Sequence, residues 1–164
     1  MIILGIDPGT ASTGYGVIKN TKNLKIKAKN NLKCLDYGVI KTLPILKTPD
    51  RLKKLNNELS KIIKKHRPEI LVIEKLYFFK NLKTVMPVSQ ACGVILLTAA
   101  KNKIPVHEFT PLQVKLAVTG FGWSEKKLVQ KKIKSLLKLK ESPKPDDAAD
   151  ALAIAVTFCF KECS

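Results

Sequence analysis

The sequence predicts a mixed α/β fold, a five-stranded sheet flanked by helices, on three observations. Three strand-type segments precede any helical pattern. After them, strand and helix patterns alternate to the end of the chain. Two of the strands, "IILGID" and "ILVIE", are apolar on both faces, as strands inside a covered sheet must be. Strands in a run, then strand–helix alternation, give a mixed sheet with helices packed on it.

The first strand covers Ile2–Asp7 and ends in a carboxylate before Pro8-Gly9. An unpaired carboxylate at the end of a core strand is costly, so Asp7 demands a cation, a metal or water at a cleft. Gly14–Ile18 reads as the hairpin partner, after a turn containing Gly9 and Gly14. Lys19–Lys33 is basic and Asn-rich, an exposed connection or ribbon, and Cys34–Lys41 resumes strand character. The three strands form an antiparallel meander. Asp50 can cap the first helix, on which Leu52, Leu55, Leu59, Ile62 and Ile63 recur at helical spacing before Pro68 ends it. The strand Ile70–Glu74 follows.

A second helix falls within Leu82–Lys101, with Pro87 suited to its start rather than its interior. Its stretch Ala91–Ala100 is apolar nearly all round, which implies full burial or a partner subunit. Ile104–Phe109 is a short strand and Pro111–Val118 a short helix. The flexible "GFGW" of Gly120–Trp123 comes next, with Trp123 read as a packing residue. Ser124 can cap a helix over Glu125–Leu139, with Leu128, Val129, Ile133, Leu136 and Leu137 inward and seven lysines from Lys126 to Lys140 on or beside it. The last helix runs from about Asp146 to Phe160.

At 164 residues, with no internal repeat and no break in composition, residues 1–164 read as a single domain with a substantial core. The net charge of +17 draws polyanions, chiefly nucleic acid or an anionic membrane surface. Of 30 basic residues only Arg51 and Arg67 are arginine, a bias that genome composition also produces. No apolar run reaches the ~20 residues of a membrane span, and Met1–Ile6 is too short for a signal sequence. Cys34, Cys92, Cys159 and Cys163 are scattered, and Cys159/Cys163 lack a second ligand pair, which argues against zinc. A reduced, cytoplasmic protein is the expectation.

The chain has only 13 acids, so their placement carries information. Asp7 and Glu74 each close an apolar strand; if the strands are neighbours, both acids project at one sheet edge. In "PDDAADALAIA", Asp147 and Asp150 are three apart and share a helix face. Asp146 is rotated by ~100° from Asp147 and suits a cap. Taken singly, each acid has a plain structural reading: a turn Asp at Asp7, a salt bridge at Glu74, capping at "DDAAD". Together they place hard oxygen ligands on three separate elements. Like charges at close range cannot all ionise unaided. Mg²⁺ or Mn²⁺ supplies the missing charge. Two ions about 3.5–4 Å apart activate a water and stabilise the leaving oxygen in an in-line attack on a phosphodiester. Lysines would hold the polyanion, which the acids alone would repel.

Four blocks, "GIDPGTASTGYGVI", "LVIEKLYFFKN", "QVKLAVTGFGWSEKKLVQ" and "PDDAADALAIA", resemble in order the signature blocks of the RuvC-type Holliday-junction resolvases. The resemblance runs from Met1 to about Cys159. It implies an RNase-H-like (ribonuclease H-like) fold and a homodimeric crossover junction endodeoxyribonuclease. Such an enzyme cuts two opposite strands of a four-way DNA junction with Mg²⁺ or Mn²⁺, in homologous recombination and DNA repair. It also implies a junction branch-migration complex as partner. Asp7, Glu74, Asp147 and Asp150 are then the catalytic metal ligands, two ions per site, and Asp146 is not catalytic. Tyr77, followed by Phe78 and Phe79, matches the family's aromatic residue used against unpaired bases. Lys115 and Lys126 match its lysines that assist DNA binding or catalysis.

Three other readings compete. "DPGTASTGYG" also resembles the first phosphate loop of the actin-like ATPase and sugar-kinase superfamily, but the second loop such proteins need is missing from this chain. A non-catalytic binding module would use the acids structurally. A related RNase-H-like nuclease would act on RNA or RNA–DNA hybrids. His66 and His107 lie outside the acidic blocks and receive no role.

Overall fold

Strand β1 (Ile2–Asp7) is the middle of a five-stranded sheet in a computed structural model that describes residues 1–21, 32–75 and 82–162. It pairs antiparallel with β2 (Ser12–Asn20), which pairs antiparallel with β3 (Leu32–Lys41). On its other side β1 pairs parallel with β4 (Ile70–Glu74), which pairs parallel with β5 (Val106–Phe109). The strand order is β3-β2-β1-β4-β5. The expected meander and the mixed five-stranded sheet are both present.

Helices α1 (Thr48–His66) and α2 (Leu82–Lys101) cover one face. Helices α3 (Pro111–Thr119), α4 (Lys126–Leu136) and α5 (Asp146–Glu162) cover the other. The alternation of side chains along a strand divides the core in two. Leu4 and Ile6 of β1, with Leu71 and Ile73 of β4, face α1 and α2. Ile3 and Val72 face α5. Ile3, Leu4 and Ile6 are fully buried, and burial of each such side chain stabilises the fold by about 1.5–3 kcal/mol. Among the described residues no helix is long and apolar enough to cross a membrane.

Several local expectations are corrected. Helix α1 begins at Thr48 with Lys47 as its N-cap, so Asp50 lies inside the first turn and caps nothing. Pro49 explains the earlier start, since a proline at the beginning of a helix sacrifices no hydrogen bond. Pro87 sits inside α2 rather than at its start. A helix of 20 residues whose later turns bury Ala91, Ile95 and Ala99 tolerates the single missing donor. Ser124 is not a cap: Glu125 holds that position without a side-chain bond, and Ser124 is buried in the preceding turn. α4 is shorter than expected, and Leu128 is exposed, because Val129 and Ile133 define the inward face. The stretch Ala91–Ala100 is not buried all round. Ala91, Cys92, Ile95 and Ala99 pack inward, while Leu96 and Leu97 face outward, Leu97 with 54% of its surface exposed. His66 is structural: its Nε2 lies 2.8 Å from Asp36 Oδ2, tying the end of α1 to β3.

Candidate active site

Strand parity places the first two acids. Asp7 follows Ile3 and Gly5 on the α5 face of β1; Glu74 follows Val72 on the α5 face of β4. Ile6 is paired with Ile73 in the parallel ladder, so Asp7 and Glu74 are the next residues at the C-terminal ends of adjacent strands. That edge is where open α/β sheets bind ligands.

Helix α5 brings the other two. Gly5 and Gly16 oppose each other across β1 and β2, and Gly14 opposes Asp7. These three glycines leave the sheet bare where α5 crosses it. A Cβ on Gly14 would collide with the carbonyl oxygen of Asp147, and one on Gly5 with that of Ala151. The helix answers with Ala148, Ala151 and Ala155, all fully buried. This contact of small residues lets the helix start descend onto β1. Asp7, Asp147 and Asp150 each offer a carboxylate oxygen, and those oxygens all lie within 4.8 Å of one another. Glu74 stands outside that triplet but beside it; its charge is the strongest single charge acting on Asp7.

The electrostatics follow from the crowding. Burial first, then the charges of Glu74, Asp150 and Asp147, push the Asp7 carboxyl up to about 8. Burial and Asp150 push Glu74 up to about 7, against the opposing pull of Lys115 and Lys126. Burial also raises Asp150, although its bond to Lys126 works the other way. Half-buried hard-oxygen donors that repel one another at neutral pH fit a divalent cation, and the donor set suits Mg²⁺ or Mn²⁺. Carboxyls raised on folding favour the native state most at low pH. That contribution is complete below the ordinary values of 3.8 and 4.5 and is lost as pH rises through about 7 to 8. Without divalent ions, thermal stability is therefore expected to fall between about pH 5 and pH 8. Added Mn²⁺ should raise the melting temperature more at pH 8 than at pH 6, because protons compete for the same oxygens. Calorimetry across that range checks this; an equal Mn²⁺ effect at both pH values would contradict it.

Two lysines frame the acids. Lys126 Nζ lies 2.8 Å from Asp150 Oδ2 and 3.5 Å from Asp146 Oδ2. Burial opposes its charge, but the bonds to Asp150 and Asp146 hold the ammonium above its ordinary range. Lys115, on α3, acts electrostatically on Glu74. Helix α3 is held by a capping box: the Thr110 hydroxyl accepts from the Gln113 N–H, and the Gln113 side chain accepts from the Thr110 N–H. Thr110-x-x-Gln113 is a sequence signal for such a box. Asp146 is exposed and stands outside the triplet of close carboxylates, its Oδ2 toward Lys126 and its Oδ1 accepting from Gln130 Nε2 at 2.9 Å. The turn after Asp7 is pinned by an arginine. Arg51 donates to the Thr10 carbonyl at 2.6 Å and to Thr42 Oγ1 at 2.9 Å. The Thr42 hydroxyl donates to the same carbonyl, at 2.6 Å. One of only two arginines in the chain thus serves where a rigid fork must make two bonds.

The structure therefore brings together Asp7, Asp147 and Asp150, with Glu74, Lys115 and Lys126 around them. Tyr77, with Phe78 and Phe79, lies outside the described residues. Gly14, expected in the turn before its strand, lies inside β2 opposite Asp7, and Arg51 stands out in the sequence only as one of two arginines; the roles of both depend on contacts with elements far along the chain. Trp123, expected to pack, is 79% exposed.

Residues 3–158 match the family model for crossover junction endodeoxyribonuclease RuvC. The chain is 50% identical over 157 residues to the protein of that name from Fusobacterium nucleatum, covering 96% of this chain and 79% of the relative. It is 48% identical over 164 residues to the one from Caldicellulosiruptor saccharolyticus, covering 100% of this chain and 95% of that one. Among solved structures, Thermus thermophilus RuvC in complex with Holliday junction substrate superposes with a TM-score of 0.89 at 33% identity, covering 99% and 94% of the two chains. That likeness extends to the whole sheet and its helices, the RNase-H-like arrangement expected. A family match of this length, together with three carboxylates from two distant segments meeting on one sheet edge, makes this chain a member of the RuvC crossover junction endodeoxyribonuclease family.

Proposed function

We propose that this chain resolves four-way (Holliday) DNA junctions by metal-dependent hydrolysis of a phosphodiester, acting as one nuclease domain over residues 1–164 in the cytoplasm. The convergence of Asp7, Asp147 and Asp150, with Glu74 beside them, carries the reading. These four residues would hold two divalent ions. When bound, such ions neutralise the carboxylates, lower the pKa of an attacking water and stabilise the leaving oxygen. Glu74 and Asp7 approach from the sheet, Asp147 and Asp150 from α5, so the site is shaped by the seat of the helix on β1 and β2. Lys115 and Lys126 supply positive charge at the rim, where a phosphate must approach four acids. Tyr77 is assigned to the unpaired bases at the crossover. Cleavage of a four-way junction with Mg²⁺, and little cleavage of an RNA–DNA hybrid, is the expected result. The reverse preference would replace the proposal with the hybrid nuclease.

The lysines on the outer face of α4 (Lys127, Lys131 and Lys132) and beyond it (Lys138, Lys140) are exposed. They suit phosphate contacts, which position DNA without reading its sequence. Junction affinity is expected to fall roughly a thousandfold between about 50 and 200 mM salt, the response of a surface that neutralises about six phosphates. A flat response in a binding titration would remove these lysines from the interface.

Paired incision needs two sites, and α2 offers the surface for a homodimer. Met86, Leu96 and Leu97 are exposed together on its outer side, and Gly93 has open space around it. Leu97→Glu is expected to give a monomer by sedimentation that nicks single strands but no longer cuts both strands of one junction. A dimer that survives this change would move the interface elsewhere. The branch-migration complex belongs to the same reading as the partner that delivers the junction.

A further inference from the structure

The turn between α3 and α4 presents two aromatic rings to solvent, Phe121 at 61% and Trp123 at 79% exposure. Leu112 and Leu116, on the outer side of α3, are exposed as well. The turn is tightly bonded. Gly120 closes α3 with a φ of 83°, where a side chain would be strained. The Phe121 carbonyl accepts from the Ser124 hydroxyl at 2.7 Å and from the Ser124 N–H at 3.2 Å. The Thr119 hydroxyl accepts from the Phe121 N–H at 3.1 Å and lies 2.7 Å from Ser124 Oγ. Gly122 packs against Leu112 so closely that a Cβ there would fall 2.7 Å from Leu112 Cδ1. A bonded backbone that nevertheless leaves its largest side chains in water is a preorganised platform.

The position of the platform says what it meets. The turn joins the two helices that carry Lys115 and Lys126, the lysines beside Glu74 and Asp150. Trp123 is three residues from Lys126, so its backbone lies within about 11 Å of it. That distance is about three base steps of a duplex, at 3.4 Å per step. An apolar surface on a turn flanked by the two helices that carry these lysines suits a nucleobase, which offers an apolar face on an anionic backbone.

We propose that Trp123 stacks on a DNA base beside the scissile phosphate, giving the enzyme an aromatic contact separate from Tyr77. This rests on the junction-resolving reading above. Trp123 is the only tryptophan in the chain, so its emission reports this contact alone. The full chain is titrated with fluorophore-labelled four-way junction DNA in Ca²⁺ in place of Mg²⁺, with DNA anisotropy and tryptophan emission recorded together. The expected result is quenching of Trp123 and protection from acrylamide, with the same midpoint as the anisotropy. Trp123→Ala should weaken binding by roughly tenfold, the scale of one stacked base, and Trp123→Phe should recover most of it. Junction binding with unchanged tryptophan emission would overturn the stacking while leaving the resolvase reading intact. Quenching that follows protein concentration without DNA would assign the patch to contact between copies instead. No anisotropy change at all would overturn the resolvase reading and the stacking with it.

Discussion

Asp7→Asn is expected to lower junction cleavage by about a thousandfold or more, the scale of losing a preorganised electrostatic element in a catalytic site, while junction binding is largely kept. The reason is the position of Asp7. The sheet acid Glu74 and the helix acids Asp150 and Asp147 all act on it, and its carboxylate lies within 4.8 Å of those of Asp147 and Asp150. Asparagine keeps the shape and one carbonyl oxygen but removes the charge that holds a cation. The same change has a second, opposite effect. A half-buried carboxylate pressed by three others destabilises the metal-free fold above about pH 8, so the variant is expected to melt higher than the natural protein there and to gain less from Mn²⁺. A purely structural Asp7 would give the reverse: a lower melting temperature, with cleavage per folded molecule unchanged. Cleavage assays, anisotropy and calorimetry on the two proteins side by side separate these outcomes.

Gly14→Val is expected to cost cleavage at least about a hundredfold, although Gly14 carries no functional group. A Cβ at this position meets the backbone of Asp147, which has no flexible end that could swing aside. Either α5 lifts from β2 or the strand bends. A displacement of about 1 Å at a catalytic group is worth about a hundredfold in rate. Overpacking at a tight contact also costs stability by about 1–3 kcal/mol. The pattern differs from that of Asp7→Asn: here stability and cleavage fall together, and Mn²⁺ restores neither fully. Full cleavage by Gly14→Val would mean that the seat of α5 on β2 does not set the geometry of the acids.

The parts of the fold that were legible in the sequence are those written in local pattern. Ile2–Asp7 and Ile70–Glu74 announce buried strands by continuous apolar character, and their terminal acids follow from where the apolar run stops. Asp147 and Asp150 share a helix face by spacing alone. That the two strands are parallel neighbours is a tertiary fact, and the sequence allowed it only as a condition. The errors have one origin. Asp50, Ser124 and Pro87 were read from local preferences, and in each case a competing contact won: Pro49 at the start of α1, the Phe121 carbonyl for Ser124, and the buried face of α2 around Ile95. Trp123, after the glycines of its loop, reads as a packing residue; the bonds of Thr119, Phe121 and Ser124 hold the turn while its ring stays outside. The contacts of Gly14 and Arg51 are silent in sequence because their partners lie about 133 and 41 residues away, and only the folded chain brings them together.

Crystals soaked in Mn²⁺ give the most direct measurement, through anomalous scattering. The expected result is strong density between the carboxylates of Asp7, Asp147 and Asp150, extending toward Glu74. Mn²⁺ bound only at other positions, with these four side chains free of metal, would contradict the assignment of the acids as the metal centre.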